Sequence, residues 1–142
     1  MAAADQALSY LLQIPTVSLS ALLILGAASR LSNGRFAPRA FYRYQTERLP
    51  NDKSIAARTL PIIDTFLGIC LLYGGDAKRW ASVFVLLGTI LGLAVQLRKG
   101  GDAAPDVLLA GLALANLVFA WLFPVFTSET HHDYHLPIQN RS

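Results

Sequence analysis

Asp64 is the residue of this 142-residue chain whose surroundings point most directly to chemistry. It is the only acidic side chain inside the four apolar segments of the sequence. A charged aspartate at the centre of a membrane costs about 2.5 to 3.5 kcal/mol, and a carboxyl group shielded from water can pass a proton to a bound molecule. The sequence therefore indicates Asp64 as a catalytic acid or base. The alternative is that a helix begins near Pro61, so that Asp64 stabilises its first turn through the helix dipole.

Three further polar residues are predicted to share a catalytic site with Asp64. Asn116 lies near the middle of the fourth apolar segment, where its amide must hydrogen-bond to another helix or to a ligand. Arg30 ends the first segment, where it satisfies carbonyl groups at that helix end or neutralises Asp64. Tyr73 ends the second segment and supplies a hydroxyl group. These three residues would orient polar groups of a substrate while Asp64 serves as the acid or base.

These residues require a membrane protein around them, and the composition predicts one. Hydrophobic residues make up 54% of the chain and charged residues 15%, whereas a soluble domain carries about 25% charged residues. So few charges disfavour a disordered chain, a coiled coil and a cytosolic enzyme. The length is enough for one ordinary domain. We therefore expect a single integral membrane domain.

Four apolar segments of this domain are candidate membrane spans, each of which needs about 20 residues. They predict an all-α fold with four helices in the membrane. The second segment is the shortest, and Pro61 favours a short or bent helix there. An N-terminal segment, residues 1–14, precedes the bundle region 15–126, and a polar tail, residues 127–142, follows it. The predicted spans are about 15–31, 56–73, 81–97 and 107–126.

The basic loop between the first two spans, residues 32–55, is predicted to contain an amphipathic helix at the membrane interface. Arg35, Arg39 and Arg43 are spaced four residues apart and share one helix face. Such guanidinium groups bind lipid phosphates while aromatic rings on the opposite face enter the headgroup region. The alternatives are a basic loop that only fixes topology and a binding site for a substrate phosphate. The apolar face consists of Phe36, Ala40, Phe41 and Tyr44.

The distribution of lysine and arginine predicts how the chain crosses the membrane. Nine of the 12 basic residues lie in or beside the first and third loops, and three lie on the opposite side. Because basic loops tend to stay in the cytoplasm, the long first loop is predicted to be cytoplasmic and both termini non-cytoplasmic. The expected location is the endomembrane system or the plasma membrane.

The remaining patterns predict no metal, cofactor or nucleic-acid partner. The single cysteine, Cys70, excludes an internal disulfide and, in an apolar run, acts as a small hydrophobic residue. His131 and His135 have the spacing of a metal pair on a helix, but Pro137 favours a solvated tail. The chain lacks the usual phosphate-binding, metalloprotease and hydrolase motifs, and no nucleic-acid-binding module accompanies its basic residues.

The layout of the first two spans resembles the DoxX-like family of small four-helix membrane proteins. The first span ends in the run Ala27–Leu31, which is followed by a glycine turn and a long polar loop. The second runs from Pro61 to Gly74, with Asp64 four positions before Gly68, and it ends in a Leu-Leu pair and a glycine. In that family the acid is usually glutamate. The resemblance covers roughly residues 16–126 and implies an antiparallel helical bundle.

The resemblance also implies a class of function. Members of that family are associated with redox complexes, including small subunits of a thiosulfate:quinone oxidoreductase, and similar proteins occur beside enzymes that make lipophilic polyketides or terpenoids. We therefore expect a small enzyme or accessory factor of secondary metabolism that acts on a polyketide, an isoprenoid or a quinone. The alternative is a non-catalytic subunit or scaffold that packs against a larger membrane protein or a second copy of itself. A transporter is a third possibility, and four short spans can form one only if the chain oligomerises.

Overall fold

The computed structural model describes residues 2–122, without the side chains of residues 2–6, 8 and 9, and this part is entirely helical. Turns and short irregular segments connect its helices. The helices are α1 (Ala2–Leu31), α2 (Arg39–Arg48), α3 (Ile55–Tyr73), α4 (Gly75–Lys99) and α5 (Ala104–Leu122).

Four of these helices are long and apolar enough to cross a membrane, which confirms the predicted all-α membrane protein with four spans. Large apolar side chains such as Phe66, Leu91 and Leu108 are exposed on their outer surfaces. Lipid tails can surround such surfaces at no cost, whereas water could not. The candidate spans are Tyr10–Leu31, Ile55–Tyr73, Gly75–Lys99 and Ala104–Leu122.

The helix boundaries differ from the predicted ones because local capping groups, and not the apolar runs, set them. α1 begins at Ala2 and continues through Pro15, so residues 2–14 extend the helix beyond the predicted span, and the candidate span begins at Tyr10. α3 begins at Ile55 because the Ser54 hydroxyl accepts a hydrogen bond from the amide of Ala57 at 3.2 Å. With 19 residues it is about 28 Å long, enough to cross the membrane despite Pro61.

α4 and α5 also begin earlier than the apolar runs that predicted them. α4 begins at Gly75, directly after Gly74, and so includes Asp76 and Arg79, which form an exposed ion pair of 2.9 Å. α5 begins at Ala104, whose amide donates to the Asp102 carboxylate at 3.0 Å, and its first turn contains Asp106. The predicted end of the fourth span, residues 123–126, and the histidine-containing tail lie outside the described residues.

The four long helices pack in a ring in which α1 contacts α3 and α5, and α4 contacts the same two helices. α2 lies across α1 and α4. α1 and α3 approach closely at Gly68, where the Ser20 hydroxyl donates to the Gly68 carbonyl at 2.7 Å. A methyl group on Gly68 would lie 2.9 Å from Ile24 and 3.3 Å from the Ser20 carbonyl. The core between the helices consists of Leu19, Leu71, Ala81, Val85 and Ala113.

Gly88 and Gly92 form a GxxxG pattern in α4 that predicts close packing of helices. Neither glycine has that role in the structure. Gly88 is exposed, and a methyl group placed on it would meet no atom within 4 Å. The space beside Gly92 is filled by the side chain of Arg48 from α2.

We expect the substitution Gly68→Ala to lower the free energy of unfolding by about 1 to 3 kcal/mol, because the new methyl group forces α1 and α3 apart. The matched control is Gly88→Ala, which should be neutral or stabilising by up to about 1 kcal/mol, since alanine favours a helix. Denaturant unfolding in mixed micelles measures both values. Equal losses in the two variants would show that Gly68 does not set the helix spacing.

Candidate functional site

A group of polar side chains lies where α2 covers the last turn of α1 and the first turn of α5. Three of its members come from α2, two from α1 and one from α5. We call this group the α2 cluster. It consists of Ser29, Arg30, Tyr44, Gln45, Arg48 and Asp106.

Arg30 joins α1 to α2 through the backbone of α2. Its side chain is buried, and its Nη1 and Nη2 atoms donate to the carbonyls of Leu49 at 3.1 Å and Gln45 at 2.8 Å. Carbonyl groups at a helix C-terminus have no partner within the helix and attract a cation. Arg30 thus satisfies carbonyls at the end of α2, whereas the sequence indicated those of its own helix or the Asp64 carboxylate.

Arg48 and Asp106 form an ion pair between α2 and α5. Asp106 is 1% exposed, and the guanidinium of Arg48 also lies over the Tyr44 ring, 5.2 Å from its centroid. The space for Arg48 exists because residue 92 of α4 has no side chain. Sequence reasoning missed this pair, since Arg48 was only one charge of a basic loop and Asp106 preceded the predicted fourth span. The signal in the sequence was Asp102, because aspartate often accepts hydrogen bonds at the start of a helix. It could have placed the start of that span before Asp106.

Tyr44 faces this ion pair, although its position in the sequence indicated that its ring would enter the lipid headgroups. Burial raises the pKa of Tyr44 to about 12, and the neighbouring Asp106 carboxylate adds to this effect more than Arg48 opposes it. The hydroxyl of Tyr44 therefore keeps its proton at neutral pH and remains a hydrogen-bond donor beside Asp106.

Asp64 lies at the midpoint of α3, about 13 Å from each end of the helix. α3 begins at Ile55, about two turns before Pro61, so Asp64 does not lie in its first turn. The alternative that Asp64 stabilises the first turn of a helix is therefore wrong. Asp64 is half-buried, and it is close enough to Arg30 for their charges to interact. The two do not form a direct ion pair, since the Arg30 nitrogens donate to α2.

Asn116 forms a closed hydrogen-bond network that joins three helices. Its Nδ2 donates to the Ser82 hydroxyl at 2.7 Å, and its Oδ1 accepts from the Thr16 hydroxyl at 2.6 Å. Ser82 in turn donates to the Lys78 carbonyl at 2.6 Å. Of the two partners that the sequence left open, another helix or a ligand, the structure provides the helices. The network lies about 15 Å along α5 from Asp106 and is separate from the α2 cluster.

The structure thus brings together only part of the predicted catalytic set. Arg30 belongs to the α2 cluster, and Asp64 lies within range of its charge. Tyr73 is the last residue of α3 and is 87% exposed, about 13 Å along the helix from Asp64. Tyr73 therefore lies away from Asp64, and polar atoms of Asn116 are engaged by Thr16 and Ser82.

The three arginines predicted to bind lipid are all exposed. Arg35 and Phe36 lie in the turn before α2, so the predicted helix is shorter than its pattern indicated. Arg39 is the first residue of α2, and Arg43 forms an exposed 2.9 Å pair with Glu47 one turn later. Pro38 sets this start, because it has no amide hydrogen to donate and directly precedes the helix.

Several buried polar atoms have no hydrogen-bond partner in the described part of the chain, and all of them belong to the α2 cluster. Buried polar atoms are nearly always hydrogen-bonded in folded proteins. The α2 cluster is therefore the place where residues 2–122 leave buried hydrogen-bonding capacity unused. The atoms are Ser29 Oγ, Tyr44 Oη, Gln45 Oε1 and the two carboxylate oxygens of Asp106, one of which contacts Arg48.

No metal centre is formed within residues 2–122, where no three histidine, cysteine or acidic side chains come together. Comparison of the chain with protein-family models, with curated proteins and with solved structures finds no match. The resemblance to the DoxX-like family stays a prediction. Function must accordingly be argued from the geometry of Asp64 and the α2 cluster.

We expect Arg48→Met to lower the free energy of unfolding by about 3 to 5 kcal/mol, because it leaves Asp106 charged, buried and unpaired. The double variant Arg48→Met with Asp106→Leu should recover most of this loss. Arg43→Met is the matched control in the same helix, and it should change stability by less than about 1 kcal/mol, since its pair is exposed. A control variant as unstable as Arg48→Met would show that the ion pair is not the cause.

We expect Tyr44 to ionise around pH 12, later than an unperturbed tyrosine, which ionises around pH 10. Because the pKa is raised in the folded state, the stabilisation that Tyr44 provides is complete below about pH 10 and is lost as the pH rises towards 12. Ultraviolet absorbance of tyrosinate follows this titration. Tyr44→Phe should remove the latest component, and so should unfolding of the wild-type protein. A late component that survives in Tyr44→Phe would contradict the assignment.

Proposed function

We propose that the protein is a small DoxX-like membrane enzyme or accessory factor, and that Asp64 exchanges a proton with a lipophilic metabolite, such as a polyketide, an isoprenoid or a quinone. The observation that carries the proposal is the position of Asp64, a half-buried carboxyl group at the midpoint of an apolar helix. Within the described residues, no donor hydrogen-bonds to it, and Arg30 interacts with it only through charge.

The cost of keeping Asp64 at this depth supports a functional role. A charged aspartate near the membrane centre costs about 2.5 to 3.5 kcal/mol, and asparagine or serine would avoid that cost. Asn116, by contrast, has structural partners in Thr16 and Ser82. Asp64 has none of this kind, so proton exchange with a bound molecule explains its presence better than packing does.

The α2 cluster supports the proposal through Arg30, whose charge interacts with this carboxyl group. Arg30 links the two, because it hydrogen-bonds to the backbone of α2 while its charge reaches Asp64. A lipophilic molecule could reach Asp64 from the bilayer and place its polar head towards Arg30. This arrangement gives Arg30 the orienting role that the sequence predicted for it.

We infer that the four spans form an antiparallel bundle and that α2 lies on its cytoplasmic side. Gly74 alone separates α3 from α4, and residues 100–103 separate α4 from α5, and connections this short join neighbouring helices that reverse direction. The excess of basic residues on the α2 side supports the cytoplasmic assignment and non-cytoplasmic termini. The membrane is that of the endomembrane system or the cell surface.

We also infer that α2 and the turn before it lie at the membrane interface. Arg35, Arg39 and Arg43 are exposed where they can contact anionic lipid phosphates, and Phe36 is 76% exposed beside them. The aromatic side of α2 is divided, since Tyr44 packs inward while Phe36 is free to enter the headgroup region.

A second candidate function is that of a non-catalytic subunit or scaffold for a redox or biosynthetic complex. The observation that favours it is the exposure of Gly88 in α4 and Gly111 in α5, since a methyl group on either would meet no atom. Such positions allow another helix to approach closely. A solubilised single chain with Asp64-dependent turnover would contradict this alternative.

We expect Asp64→Asn to abolish function while leaving the amount of membrane-inserted protein unchanged. Cells lacking the gene are complemented with the wild-type chain, with Asp64→Asn or with Asp76→Asn, and their lipid-soluble metabolites are profiled. Asp76 is the matched control, because it is an exposed acid at the start of α4. The wild type and the control should restore the metabolite profile, and Asp64→Asn should not. Full restoration by Asp64→Asn would remove Asp64 from the chemistry.

A further inference from the structure

The unused hydrogen-bonding groups of the α2 cluster are mostly acceptors. The Gln45 carbonyl oxygen and the Asp106 carboxylate can only accept, and Ser29 can accept as well as donate. Ser29 is fully buried beside Arg30, so its hydroxyl group has no access to bulk solvent. The amide nitrogen of Gln45 lies against Gly26, where it fills the place that a side chain would occupy.

The strong donors of the cluster are already engaged. Arg30 donates to two backbone carbonyls of α2, and Arg48 is paired with Asp106. Tyr44 keeps its proton, and the Asp106 carboxylate is the acceptor next to it. A ligand that offers only acceptors, such as a ketone or an ether, would leave the Gln45 oxygen without a donor.

The charges of the cluster and its surroundings are balanced. Arg30 and Arg48 carry two positive charges, and Asp64 and Asp106 carry two negative charges when ionised. A cationic ligand would face the two guanidinium groups, and an anionic one would need the donors that are already in use. The partner that fits is neutral and donates hydrogen bonds.

We infer that the α2 cluster binds the hydroxyl group of a neutral lipophilic alcohol or phenol, with Ser29 and Gln45 as acceptors. The inference rests on the proposed function, because it names the class of metabolite that would reach Asp64. Its apolar part remains among the lipid-exposed helices, and its hydroxyl group lies under α2. A reduced, hydroxyl-bearing compound is bound in preference to the corresponding ketone or ether.

The test compares two probes that differ only in the donor, a long-chain para-alkylphenol and its methyl ether. Both partition into lipid, so binding is measured with the protein in lipid nanodiscs, by the shift in Tm and by native mass spectrometry. We expect the phenol to bind about three- to tenfold more tightly than the ether, the effect of one buried hydrogen bond. Equal binding of the two probes, or binding of neither, would overturn the inference.

Two variants locate the selectivity. Ser29→Ala and Gln45→Met remove one acceptor each, and each should lower the affinity for the phenol about threefold or more while leaving that for the ether unchanged. Ser18→Ala is the matched control in α1, and it should bind both probes as the wild type does. Selectivity that survives in both Ser29→Ala and Gln45→Met would place the phenol elsewhere and overturn the inference.

The outcome for the site is separable from the outcome for the proposed function. Asp64→Asn should keep the preference for the phenol, because the two acceptors are intact, and it should still fail to restore the metabolite profile. Loss of selectivity in the wild type with an inactive Asp64→Asn overturns the inference and keeps the proposed function. Selective binding of the phenol together with a fully active Asp64→Asn variant would keep the inference and overturn the proposed function.

Discussion

Arg30 joins the end of α1 to the end of α2 by donating to the carbonyls of Leu49 and Gln45. Backbone carbonyls that are shielded from water at a helix end need another hydrogen-bond donor, because each unsatisfied carbonyl costs free energy. A ten-residue helix such as α2 is too short to be stable alone, so this contact and the Arg48 ion pair fix its position. Once α2 is in place, the positions of Tyr44 and Gln45 follow.

The same constraint divides the buried polar side chains into two kinds. Thr16, Ser82 and Asn116 hydrogen-bond to one another and so join three helices. Ser29 and Gln45 retain buried acceptors, and Asp64 retains its carboxyl group. Interhelical hydrogen bonds in membranes contribute only modestly, about 0.6 to 2 kcal/mol each. The first kind therefore specifies the packing, and the second kind is free to bind.

The sequence predicted the four spans well, because a long apolar run needs no knowledge of three-dimensional contacts. It left open whether Asp64 lies in the first turn of a helix or within it. It predicted the ends of the helices less well, since Ser54 and Asp102 decide them through single hydrogen bonds. The pair of Arg48 and Asp106 was out of reach for another reason. Arg48 and Asp106 lie far apart in the chain. The Arg48 side chain also has room beside α4 only because Gly92 has no side chain.

Gly74, the single residue between α3 and α4, has a consequence for how the chain reaches its membrane. Its positive φ of 84° suits glycine and lets the chain turn back at once. In the antiparallel bundle that we infer, so short a link favours insertion of α3 and α4 together, as one helical hairpin. The uninterrupted apolar stretch of α4 then offsets the cost of bringing the Asp64 carboxyl group into lipid, a cost that α3 would bear alone if it entered first.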